Sequence, residues 1–76
     1  MIHIRLRIEK IAGDHITAAL FMGNAIALNK CGILRFRRVE YEVLSAVLML
    51  AAPLMREDVE VKVDSAEEFE KEWFGG

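Results

Sequence analysis

A chain of 76 residues with one cysteine is a single small domain, and Cys31 alone excludes an intrachain disulfide framework and fits a reducing, cytoplasmic setting. Its 54% hydrophobic content is high for a size that buries only about 60% of its unfolded surface, which favours oligomerisation or a partner. The net charge of −2 excludes a uniformly basic protein, yet it divides unevenly: residues 1–38 carry seven Lys/Arg against two Asp/Glu, and residues 39–76 carry three against ten.

Ile2, Ile4, Leu6 and Ile8 alternate with His3, Arg5, Arg7 and Glu9. That period of two predicts a first strand over about residues 2–11, charged on its outer face, and it differs from the continuous apolar run of a signal peptide. Gly13 breaks it, and Asp14 is a helix N-cap candidate. Ile16, Ala19, Leu20, Gly23, Ile26 and Ala27 recur at three- and four-residue spacing, with Phe21, Ala25 and Leu28 beside them. This pattern predicts a first helix over residues 15–31, closed by Gly32.

Residues 33–37 read as a second strand with Leu34 and Phe36 inward and Arg35 and Arg37 outward. A second helix is predicted over residues 39–52, ended by Pro53. Val59, Val61 and Val63 alternate with Glu60 and Lys62 as a third strand. Ser65 and Glu68 form a capping box for a last helix, which the Glu67–Lys71 pair supports and Phe69 and Trp73 dock. The expected fold is α/β (α+β): one domain over residues 1–76, in the order β-α-β-α-β-α. One-faced strands make it a two-layer sandwich, a three-stranded mixed sheet with all helices on one face. A crossover would make the first two strands parallel.

Residues 43–55 are thirteen residues without a charge, too short for a membrane span of about 20 but apolar around the whole helix. Val43, Leu44, Val47, Leu50 and Ala51 are assigned to the inner stripe. Tyr41, Ser45, Leu48 and Ala52, with Met49 adjacent, are assigned to the outer one, as a seam for a homodimer or a target protein. Coverage by Phe21 and Leu28 of the first helix is the competing account. Arg5, Arg7, Arg35 and Arg37 form a candidate anion-binding face. A solvated face is preferred to a nucleic-acid reader, because the one strand aromatic, Phe36, points inward and base stacking needs an outward ring. Glu60, Asp64, Glu67, Glu68, Glu70 and Glu72 form a candidate acidic recognition surface. His3, His15 and Cys31 have no zinc-site spacing, and neither a catalytic set, a metal nor a cofactor is expected. The chain ends Gly75-Gly76, as ubiquitin-like carriers do, but after a helix where those have a strand.

The stretch Cys31-Gly-Ile-Leu-Arg-Phe-Arg-Arg-Val-Glu-Tyr-Glu, leading into a Leu/Ala-rich helix, resembles a pattern in small bacteriophage and prophage accessory proteins. In the pattern Gly32-x-Leu34-x-Phe36-Arg37-x-x-Glu40-Tyr41, a short strand runs into a helix opening with an acid and an aromatic. The resemblance spans about a dozen of the 76 residues. It implies a non-enzymatic protein that binds and inhibits a host complex, as anti-CRISPR proteins do. The alternatives are a nucleic-acid-binding module on the arginine face and a diglycine carrier.

Overall fold

A computed structural model describes residues 1–55 and 58–74, with the side chains of residues 73 and 74 outside the description. The expected docking by Trp73 and the diglycine Gly75-Gly76 therefore lie outside the described residues. The chain runs β1 (Ile2–Ala12), β2 (His15–Gly23), β3 (Leu28–Arg37), α1 (Arg38–Ala51), a 3-10 turn (Ala52–Leu54), β4 (Val59–Val63) and α2 (Ala66–Phe74). It is a small α+β domain whose one sheet has the order β3-β2-β1-β4. β1 pairs antiparallel with β2 and parallel with β4, and β2 pairs antiparallel with β3.

The expected helix over residues 15–31 does not form: its residues make β2, a turn and the start of β3. The sheet thus has four strands, the order is β-β-β-α-β-α, and the parallel neighbour of β1 is β4 rather than the strand at residues 33–37. The same residues satisfy a period of two. Ile16, Ala18, Leu20 and Met22 stand opposite Ile11, Ile8, Leu6 and Ile4 on the inner face, and Ile16 and Ala18 are fully buried. Gly13 carries φ +60 in the two-residue turn joining β1 and β2, as a hairpin turn with glycine at its first central position requires. At the next turn the Asn24 side chain accepts hydrogen bonds from the amides of Ile26 and Ala27, both 2.9 Å. The propensity for helix loses because a hairpin gives every apolar residue of β2 a cross-strand partner.

Leu6, Ile8, Ile16, Ala18, Tyr41 and Ala66 form the core, with Phe36, Leu44, Val63 and Phe69 packed against it. Helix α1 crosses the inner face from the end of β3 toward β4. Glu40 starts it by accepting from both the amide and the Nε of Arg37, at 3.2 and 2.8 Å. Strand β4 pairs only with Ile2–Leu6 of β1, and α2 packs beside the remaining half of β1. The Ser65 hydroxyl accepts from the Glu68 amide at 3.4 Å, one of the two bonds of the expected capping box.

Candidate functional site

Of the expected inner stripe of α1 only Leu44 and Ala51 are half-buried, and of the expected outer one only Met49, 57% exposed, faces outward. Tyr41 is 1% exposed and joins the core, while Leu44, Ser45, Leu48 and Ala52 are half-buried toward the sheet. Tyr41 therefore belongs to the monomer core and not to an outer seam. It packs edge-on to Phe36 with ring centroids 5.8 Å apart, and its hydroxyl donates to the Asp64 carbonyl at 2.9 Å. That partner decides the orientation, since a buried phenol needs an acceptor, while small Ser45 and Ala52 let the helix approach the sheet.

Facing away are Val43 at 59%, Val47 at 54% and Leu50 at 77% exposed, with Val39 and Leu54 continuing the stripe. The helix flank formed by Glu42, Ser45, Ala46 and Met49 borders a groove of about 410 Å³ closed by residues 63–68 of β4 and α2. The opposite flank, with Val39, Glu40, Val43, Leu44 and Val47, lines a second, almost wholly apolar hollow. Strand β3 is an edge: it pairs with β2 alone, and nine of its ten residues are exposed, Ile33 and Leu34 among them. The stripe opens at Val39, two residues past the end of β3, and α1 packs against β3 as well as β4.

The outer sheet face is built in rows that share one side through their pairing register. Lys62, Arg5, Phe21 and Lys30 make one row; Arg7, Ala19 and Ile33 the next; Lys10, Thr17 and Arg35 the third. All four arginines of the expected anion-binding face lie here. Arg5 reaches the Asp64 carboxylate at 3.3 Å and Arg37 reaches Glu40, whereas Arg7 and Arg35 enter no salt bridge with a described residue. Lys30 bonds Glu9 at 2.9 Å and holds that carboxyl below its ordinary pKa, as Arg37 does for Glu40. Sequence reasoning missed Phe21, which it placed on a helix; the Gly13-Asp14 and Gly23-Asn24 pairs bracketing β2 were the available signal.

The six expected acids are spread from β4 to α2, with Asp64, Glu68 and Glu72 bordering one hollow beside Arg5 and Lys62. Glu60 sits on the cationic sheet face against His3 at 3.4 Å, Asp64 is tied to β1, and Glu70 bonds Arg38 of α1. Glu67, Glu68 and Glu72 are exposed on α2. Among the described residues no group of three or more His, Cys, Asp or Glu side chains could hold a metal ion, and no helix is long and apolar enough to cross a membrane. No family model, curated protein or solved structure matches the chain.

Proposed function

We propose that this chain is a non-enzymatic, cytoplasmic interaction protein that pairs with a second copy of itself, edge strand β3 against β3 and the Val39–Val43–Val47–Leu50 stripe against its two-fold mate. The adjacency of that stripe to the open β3 edge carries the reading. An antiparallel β3–β3 pair places both α1 helices on the same side of one continuous sheet, flank to flank. The exposed surface supports a missing partner of this size. A compact monomer of 8.6 kDa exposes about 4,700 Å², whereas this chain exposes 5644 Å². The excess of roughly 900 Å² is close to one partner's share of a standard interface, about 800 Å². Covering the exposed halves of the four stripe residues contributes roughly 3–6 kcal/mol per protomer before association costs.

On the resemblance to phage accessory proteins, the dimer's target would be a host complex, met by the exposed acids Glu67, Glu68 and Glu72 of α2. Light scattering at tens of micromolar tests the self-association. The expected mass is twice 8.6 kDa, and Val43→Glu with Val47→Glu should give a folded monomer, because a carboxylate is tolerated in water and strongly disfavoured in an apolar seam. A wild-type monomer at that concentration would reject the pairing.

A further inference from the structure

We propose that the outer face of the sheet binds single-stranded nucleic acid, with the Phe21 ring as a stacking platform for a base and Arg7, Lys10, Arg35 and Lys62 as phosphate contacts. Seven of the chain's ten Lys/Arg side chains share this face by register: Arg5, Arg7, Lys10, Lys30, Arg35, Arg37 and Lys62. Glu9 and Glu60 are the acids on the same strands, and with Asp64 and Glu40 paired to Arg5 and Arg37 the face keeps a surplus of about three positive charges, bordered by Glu68 and Glu72 of α2 on its Arg5 and Lys62 side. Three of the cations are engaged with Asp64, Glu9 and Glu40. The four named as phosphate contacts enter no salt bridge with a described residue; Lys62 shares the ring's row, Arg7 stands in the next, and Lys10 and Arg35 in the one beyond, a track leading away from the ring.

Phe21 stands between Arg5 on β1 and Lys30 on β3 in one cross-strand row and is half-buried. Phosphate contacts give affinity without sequence preference, and a ring flush with a cationic sheet adds stacking on any unstacked base. A duplex presents no free base face, and a sheet of this width does not enter a groove as a recognition helix does. The inference does not depend on self-association, although a β3–β3 dimer would join two such faces into one.

Fluorescence anisotropy of labelled oligothymidylate and oligouridylate against the full chain tests it. Expected is micromolar binding at low salt that weakens about 50-fold between about 50 and 200 mM salt, the slope of roughly four phosphate contacts on a single strand. Arg7→Gln with Arg35→Gln should weaken binding and halve that slope. Phe21→Leu, which keeps apolar bulk in the sheet, should weaken binding about tenfold with the slope unchanged. Circular dichroism confirms that each variant is folded. No binding at low salt and tens of micromolar protein would overturn the proposal. So would equal affinity for a duplex together with indifference to Phe21→Leu, or binding to phosphatidylserine vesicles in place of oligonucleotide. Because the light-scattering mass is read separately, loss of the dimer and loss of strand binding are distinguishable.

Discussion

Asp64 joins three parts of the molecule through short bonds. Its amide donates to the Leu6 carbonyl at 3.1 Å, and its carboxylate accepts from the Ile8 amide at 3.0 Å and from Arg5. The β1–β4 ladder ends at Leu6 and Val63, and the Asp64 side chain extends it by one more bond. Its carbonyl accepts from Tyr41, tying α1 to the same corner. Burial, and secondarily the charge of Asp64, pushes the Tyr41 phenol from 10.0 up to about 12. Because the folded-state value is raised, this contribution to stability is fully present below pH 10. It is lost as pH climbs toward and through about 12. Tyr41 is the only tyrosine, so the phenolate absorbance reads it alone. The expected midpoint lies well above 10 in the folded protein and near 10 in denaturant, and a folded-state midpoint near 10 would contradict the buried placement. Tyr41→Phe should flatten the fall in stability across that window.

At the scale of the elements, the β2–β3 hairpin depends on its turn. A Cβ at Gly23 would meet the Ala27 carbonyl oxygen at 2.0 Å, whereas one at Gly32 would meet nothing within 4 Å. Gly23→Ala should therefore cost about 2 kcal/mol by forcing the backbone to move, and Gly32→Ala should change stability by under about 1 kcal/mol. Urea midpoints at one fixed protein concentration compare them. A small cost at Gly23 would mean that the Asn24 turn has room to relax.

The turn also shows what was legible. β1 and β4 were readable because charge and β-branched residues alternate there without ambiguity, and α1 because Pro53 and the apolar run bound it. Residues 15–31 were misread because Ile16, Leu20, Gly23 and Ala27 fit a helical stripe as well as Ile16, Ala18, Leu20 and Met22 fit a strand face. Only cross-strand burial decides between them, and that partner, β1, is not local in sequence. The orientation of α1 was hidden for a similar reason: a helix apolar on every side carries no preferred face, and the acceptor for Tyr41 lies 23 residues away. The arginine face survived the error because it rests on β1 and residues 35–37. Phe21 did not, since its exposure exists only once β2 is a strand.

The whole molecule divides its charge and leaves its surface unfinished. Most cations gather on the outer sheet face and many acids on α1 and α2, and the two charge-opposed halves of the sequence meet along β1 and β4, where Arg5 pairs with Asp64 and His3 with Glu60. Its radius of gyration of 12.9 Å exceeds the roughly 11 Å of a compact chain this long. The far end of the β2–β3 hairpin contributes, where Met22 stays exposed on the inner face. Edge pairing and helix packing would complete the surface in different ways, and hydrogen exchange separates them. In β3, amides that point toward β2 are already bonded, while the alternate amides face outward with no ladder partner. If β3 pairs with β3, those outward amides should slow by tenfold or more as concentration is raised through the dimerisation range, and β4 should not change. If the copies meet through α1 alone, the dimer mass would appear with no added protection in β3. The two-fold sheet would then be rejected while self-association through the Val43–Val47 stripe stood.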